Sequence, residues 1–354
     1  MSTKTDIRSI TLDELISQVV NLGESAFRAK QIYEWLWTKG AVNFDDMTNL
    51  SKPLRDKLNE HFVINAVQIN ELQISNDKTI KCAMRLHDGF VVESVLIPSD
   101  KRMTACISSQ VGCSLTCKFC ATGKLKRMRN LNADEIFDQV VLIRDQVKEK
   151  YNTPLTNIVY MGMGEPLLNY AEVLLSVEKI TSPKGLGMSP QRITVSTAGV
   201  SKMIQKLGDD KVKFNLALSL HAANDEKRNS IMPVNETNTL DNLADSLNYF
   251  SDKTGTRVTF EYIVFKDFND SIKDAQELVD FSRRVKSKIN IIEYNPIDGG
   301  EFAQTTTIRL NAFTAHLEKN GIIVNVRKSR GKDIDAACGQ LANKNKLAAT
   351  NFTN

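Results

Sequence analysis

The period of the hydrophobic positions changes along the chain. In residues 1–62 apolar residues recur every three or four positions, the spacing of one helical face. Leu12, Leu15, Ile16 and Val19 follow Thr11, and Glu14 stands three residues after it, so a capping box is predicted to open a first helix. A second helix is predicted from Ser25 to Lys39, ended by Gly40, and a third from Lys52 to Phe62. Past Val63 the period drops to two. Ile80, Cys82, Met84 and Leu86 alternate, Asp88-Gly89 predicts a hairpin turn, and Phe90 to Ile97 is the return strand. From Met103 onward, strand-length apolar runs alternate with helical patterns. The strands are expected at 103–108, 157–161, 192–196, 213–220, 257–265 and 289–294, with a further one at 322–327. Asn132 and Glu135 form a capping pair before a helix from Ala133 to Lys150, and a short helix from Asp335 to Leu341 is expected near the end.

Alternating strand–helix units imply an α/β fold with a parallel sheet, open or curled into a barrel. Six such units are two short of a complete eight-fold barrel. The expected organisation is a helical accessory domain at 1–62, a β-hairpin extension at 63–100, a partial (βα)6 barrel at 101–330 and a C-terminal segment at 331–354. The polar tail after Lys346 reads as disordered.

Composition narrows the class. The chain has 354 residues, 42% apolar and 25% charged, which excludes long disorder, collagen and a small disulfide scaffold. No apolar run is long enough to span a bilayer, and the first ten residues lack the apolar core of a signal peptide. Six cysteines are too few for a secreted disulfide framework. A cytoplasmic protein with reduced thiols is expected, in which clustered cysteines point to metal or redox chemistry. The net charge of +4 permits a nucleic-acid partner without requiring one.

Cysteines cluster in Cys113-Ser-Leu-Thr-Cys117-Lys-Phe-Cys120, directly after the first strand of the βα series. Three thiolates this close need a metal to neutralise them. A closed zinc site would need a fourth ligand, for which Cys106 is available. A four-iron cluster needs only the three thiolates and keeps one iron open. Spacings of four and three, with an aromatic before the last cysteine, resemble the radical S-adenosylmethionine (SAM) superfamily signature. Gly162-Met-Gly164-Glu165-Pro166 follows the second strand; its glycines allow close backbone approach, and its carboxylate can pair with an α-amino group. A plain strand-to-helix turn reads the same way. Ser196, Ser219, His221 and Asn295 fall near the C-terminal ends of later strands, the edge that carries chemistry in barrels, although Ser and Asn also cap helices there.

The runs from Cys106 to Cys113, Cys120-Ala-Thr-Gly123, Met161-Gly-Met-Gly-Glu-Pro-Leu167 and Ala336-Ala-Cys338-Gly-Gln-Leu341 together resemble the dual-specificity RNA adenine-C2 methyltransferases. The similarity spans nearly the whole chain and is weakest in the first 60 residues or so. It implies a radical SAM partial barrel acting on an adenosine in the peptidyl-transferase region of large-subunit rRNA, and on tRNA next to the anticodon. A sister family methylates C8 of the same ribosomal adenosine; it carries Ala where Pro166 stands. By resemblance, Cys113, Cys117 and Cys120 hold one 4Fe-4S cluster. Gly164, Glu165, Ser196, Ser219, Leu220, His221 and Asn295 contact SAM. Cys338 carries the methyl group, Cys106 is its redox partner, and Glu93 accepts the proton. Two SAM molecules per turnover, an external flavodoxin-like electron donor and a monomer are implied as well. Adenine C2 is electron-poor and does not attack an electrophilic methyl group, whereas a carbon radical adds to it. Loss of the C2 proton then needs a base, and release from Cys338 needs an attacking thiolate.

Glu93 interrupts the apolar run Phe90–Ile97, so a desolvated carboxyl with a raised pKa is expected there, the alternative being an acid facing solvent on an edge strand. Cys338 and Cys106 taken alone read equally as small buried hydrophobes, and Cys82 reads as strand packing. Lys118, Lys124, Lys126, Arg127 and Arg129 place five positive charges in twelve residues without an acid, and Arg327, Lys328, Arg330 and Lys332 form a second patch. Both flank the proposed chemistry and are expected to clamp RNA phosphates. The N-terminal segment, with 8 basic and 9 acidic residues, is no basic arm. The target adenine must leave its stack to reach a buried centre. The competing readings are a C8 methyltransferase of the same fold and a zinc-stabilised RNA-binding protein without catalysis.

Overall fold

The computed structural model describes residues 4–343. Ten strands form one sheet: β1 (Gln68–Ile74), β2 (Ile80–Arg85), β3 (Val91–Ser99), β4 (Arg102–Cys106), β5 (Asn157–Tyr160), β6 (Ile193–Thr197), β7 (Asn215–Ser219), β8 (Val258–Val264), β9 (Ser287–Glu293) and β10 (Val324–Arg327). They lie side by side in chain order. Strands β4 to β10 are parallel throughout. Parallel neighbours need a crossover, and helices supply it: α4 (Ala133–Tyr151), α5 (Tyr170–Thr181), α6 (Ser201–Asp209), α7 (Asp225–Ile231) with α8 (Leu240–Thr254), α9 (Ile272–Arg284) and α10 (Thr307–Lys319).

The sheet must curl. Strands β4 and β9 are five neighbours apart, about 24 Å in a flat sheet at roughly 4.8 Å per strand. Yet Cys106, at the end of β4, and Ile292, near the end of β9, line one cavity. The expected partial barrel is therefore present, with its mouth at the C-terminal strand ends.

The hairpin of β2 and β3 turns at Asp88-Gly89 as expected, with Gly89 at φ 87°. It is not a separate ribbon. Strand β3 pairs antiparallel with β4, so the hairpin continues the barrel sheet, and β1 adds an edge strand. The sequence reading missed β1 because its residues are mostly half-exposed and its ladder breaks between Ile69 and Glu71. The helix expected from Asp335 to Leu341 is not formed. Asp335 and Gly339 take left-handed conformations (φ 52° and 83°), which end any right-handed helix, and only one 3-10 turn (Lys332–Ile334) precedes them. The tail after Lys346 lies outside the described residues.

Ahead of the sheet stand α1 (Leu12–Asn21), α2 (Ala26–Glu34) and α3 (Lys52–His61). The Thr11–Glu14 capping box is made in both directions, at 3.2 and 2.7 Å. Helix α2 runs into a wider π turn (Trp35–Lys39) that stops at Gly40. Buried Arg8 fastens this part to the barrel through Asp138 at 2.8 Å and Asp134 at 2.9 Å, both on α4. Among the described residues no helix is long and apolar enough to cross a membrane.

Candidate active site

A cavity of about 230 Å³ opens at the C-terminal ends of β4 to β9. Cys113, Cys117 and Cys120 share its wall. Tight turns hold their loop, with Cys120 N–H donating to the Cys117 carbonyl at 3.2 Å and Gly123 N–H to that of Cys120 at 3.1 Å. Burial pushes the Cys113 thiol up to about 11 and raises Cys117 and Cys120 too. Ionising all three therefore needs a strong positive charge among them. Among the described residues, no three His, Cys, Asp or Glu side chains converge as a single ion requires. A closed zinc centre would need a fourth ligand beside these three thiols. Three thiols on one wall suit a 4Fe-4S cluster held by three protein ligands with one iron kept open.

Gly164 and Glu165 line the next part of the wall. Gly164 has φ 97°, and a Cβ there would meet Gln110 Cβ at 2.6 Å, so only glycine fits. Glu165 is buried. Its carboxylate accepts the N–H groups of Leu167 (3.0 Å) and Ala198 (2.7 Å), and burial raises its pKa. With the Thr197 hydroxyl bonded to it as well, a lone pair is left for an ammonium in the cavity. Ser196 and Ser219, at the ends of β6 and β7, bring their hydroxyls to 3.4 Å from each other on the same wall.

His221 also faces the cavity. Its Nδ1 accepts the Ile263 N–H at 3.1 Å, and its ring meets Phe119 edge-on at 4.7 Å. Burial, with Arg228 nearby, lowers its pKa to about 3, so the ring is neutral and carries its proton on Nε2.

Cys338 is exposed, but to the cavity, and protein atoms surround it closely. That burial, reinforced by Cys106, pushes its thiol up to about 12. Cys106 shares the cavity, and its thiol is raised to about 12 as well. Both are free thiols, as is Cys82, which is packed in the sheet and raised to about 12 by burial.

Three expected site residues stand off the cavity wall. Leu220 is sealed in the core. Asn295 is buried, and its amide donates to the Cys338 carbonyl at 3.3 Å. Glu93 is buried as expected, but it is not a bare carboxyl. Lys81 lies 3.5 Å from one oxygen, and the N–H groups of Ala342 and Asn343 donate to the other.

Arg228 and Glu261 are functional residues that were not read from the sequence. Fully buried Arg228 on α7 donates to the carbonyls of Ala198 (2.6 Å), Leu220 (3.1 Å) and Ser219 (3.2 Å), binding the ends of β6 and β7 together. Nothing in its polar helix signals this. Glu261, held by Asn290 at 2.7 Å, lines the cavity floor. It interrupts an apolar strand just as Glu93 does, so the same signal was available. The basic patches need correction. Arg129 is half-buried and spent on Asp88 and Glu135, Lys332 pairs with Glu293, and Lys124 donates to the Asp298 and Gly299 carbonyls. Lys118, Lys126, Arg127, Arg327, Lys328 and Arg330 remain exposed.

Comparison with known proteins gives the family. Residues 107–281 match the radical SAM superfamily, and residues 5–64 match the ribosomal RNA large subunit methyltransferase N-terminal domain. The probable dual-specificity RNA methyltransferase RlmN of Cytophaga hutchinsonii is 60% identical over 96% of this chain and 93% of its own length. This chain belongs to the RlmN family. The RlmN of Nitratidesulfovibrio vulgaris is 45% identical over 95% of the chain and 94% of that relative. Its fold is also that of a radical SAM methyltransferase from Sphaerobacter thermophilus, with a TM-score of 0.90 and 38% identity over 95% of this chain and 99% of the other. As an RlmN-family member the chain is a SAM-dependent RNA methyltransferase with an iron–sulfur cluster.

Proposed function

We propose that the protein methylates C2 of adenosine, in the peptidyl-transferase region of large-subunit rRNA and in tRNA beside the anticodon, using Cys338 as methyl carrier. The observation that carries this reading is the placement of Cys338 in one cavity with the three loop cysteines, Glu165 and Cys106. Cys113, Cys117 and Cys120 would hold the cluster, and Glu165, Ser196, Ser219 and His221 would hold SAM. When bound, these groups supply one-electron chemistry and, from a second SAM, an electrophilic methyl group.

The chain's own residues do the rest. Cys338 presents sulfur as the acceptor of the methyl carbon that reaches adenine C2. Glu93 takes the C2 proton, and the odd electron left by radical addition would pass to the cluster that the three loop cysteines would hold. Cys106 then attacks the Cys338 sulfur as thiolate. A disulfide forms, the sulfur–carbon bond breaks, and its electron pair leaves with the carbon, which gains a proton to become the product methyl group. An external thiol reduces the disulfide for the next cycle, and an external flavodoxin-like donor reduces the cluster. A monomer in the cytoplasm, where the six free cysteines stay reduced, suits this chemistry. Arg127, Lys126 and the exposed part of the second basic patch would meet RNA phosphates. Pro166 in the Gly-Glu-Pro-Leu run favours C2 over the C8 alternative.

Denaturing electrophoresis after incubation with SAM, reductant and RNA tests the carrier. Cys106→Ala should accumulate a nuclease-sensitive protein–RNA adduct, and Cys338→Ala should form none. Normal turnover by Cys338→Ala would refute the reading.

A further inference from the structure

Glu93 and Lys81 form an ion pair inside the protein. Lys81 Nζ lies 3.5 Å from Glu93 Oε1, and their side chains are only 4% and 1% exposed. The strand register explains the meeting. Lys81 pairs with Val95 and Ala83 with Glu93 across β2 and β3, so the two charges are diagonal neighbours on one face. Ile80, Cys82 and Met84 point to the other face.

The two carboxylate oxygens have separate partners. Oε2 accepts the N–H groups of Ala342 (2.8 Å) and Asn343 (3.1 Å), a few residues beyond Cys338. The Asn343 amide donates to the Val91 carbonyl at 2.6 Å, tightening the same fastening. Oε1 is buried without a hydrogen bond and faces Lys81. Residues 342 and 343 are thus fastened across Glu93, and Glu93 is absent from the cavity wall. A nucleobase reaches this carboxylate only after that segment lifts, a gating movement. Lifting removes both N–H donors. Lys81 is then the charged group still beside the carboxylate.

We propose that Lys81 is a positioning residue for Glu93: it remains the charged partner that orients the carboxylate after the Cys338 segment has moved away. The proposal rests on the reading of Glu93 as the C2 proton acceptor. Lys81 touches neither RNA nor SAM in this role. It acts through Glu93 alone.

The test compares Lys81→Met, Lys81→Arg and Glu93→Gln, each loaded with iron and sulfide and incubated with SAM, reductant and substrate RNA. Methylation of the Cys338 peptide is read by mass, and adduct and released RNA by denaturing electrophoresis. Lys81→Met should methylate Cys338 and join RNA as wild type does, then release it about tenfold to a hundredfold more slowly, so adduct accumulates. Lys81→Arg should restore release. A merely structural role lowers Cys338 methylation, adduct and product together without accumulation, and that result overturns the proposal. Adduct accumulation in Glu93→Gln with wild-type release by Lys81→Met also overturns it, while leaving Glu93 as the base. Wild-type release by Glu93→Gln instead removes the underlying reading, and the proposal falls with it. Where Lys81→Met does not fold, Lys81→Gln, which keeps an N–H donor without the charge, replaces it; wild-type release by that variant overturns the proposal equally.

Discussion

The backbone N–H of Ala121 donates to the carbonyl of Gly339 at 2.7 Å, joining the residue after the last loop cysteine to the residue after Cys338. The Thr122 hydroxyl donates to the Leu341 carbonyl at 2.6 Å, and the Gln340 amide reaches the Pro296 carbonyl at 2.9 Å. The methyl-carrier segment is thus docked on the cluster loop itself. On its other side, Asp333 accepts from Ser75 at 2.5 Å and from the Asn76 N–H at 3.0 Å, while Asp77 accepts the Gly331 N–H at 2.9 Å. Cys338 is strung between these fastenings.

Thr122→Val keeps the shape and removes one of the bonds. It leaves the Leu341 carbonyl unpaired and should destabilise the docked segment by about 1 kcal/mol. Amide hydrogen exchange in 339–343 should then speed up about fivefold, with little change in the sheet. Unchanged exchange there would show that this bond does not hold the segment.

Replacing Cys113, Cys117 or Cys120 with Ala should abolish iron loading and the production of 5′-deoxyadenosine. Iron and sulfide analysis of anaerobically reconstituted protein checks this, together with the brown colour that a zinc protein lacks. A complete four-iron cluster in any of the three variants would remove the basis of the chemistry.

His221 gives a pH dependence. Its pKa falls from 6.5 in the unfolded chain to about 3 in the fold. The unfolded state therefore binds more protons between these values, and stability drops as pH falls through that window. At about 1.4 kcal/mol per unit, the His221 contribution at pH 5 is about 2 kcal/mol less than at pH 8. Urea unfolding of the protein and of His221→Gln across pH 5–8 should show a shallower slope for the variant. Parallel slopes would contradict the buried neutral imidazole.

The sequence made the barrel legible because each parallel strand is a short apolar run with a capped helix after it. The Asn132 N–H, for instance, meets Glu135 at 2.9 Å as the capping pattern predicted. Cys113, Cys117 and Cys120 were legible because their spacing has few other uses. The structure of the C-terminal segment was not, since its path is held by contacts of Leu341 with Thr122 and of Ala342 with Glu93, residues far away in the chain. Lys81 and Arg228 escaped for a related reason. A lysine between alternating apolar residues reads as a solvent-facing position, and an arginine in a polar helix reads as surface. Only the tertiary fold brings a carboxylate to the one and three strand-end carbonyls to the other.

Mass spectrometry of nucleosides tests the central claim most directly. Substrate RNA is incubated with the reconstituted protein, SAM and reductant, then digested and compared with RNA treated with Cys338→Ala. The account predicts 2-methyladenosine from the unaltered protein and none from the variant. 8-Methyladenosine in place of the C2 product, or 2-methyladenosine formed without Cys338, would contradict it.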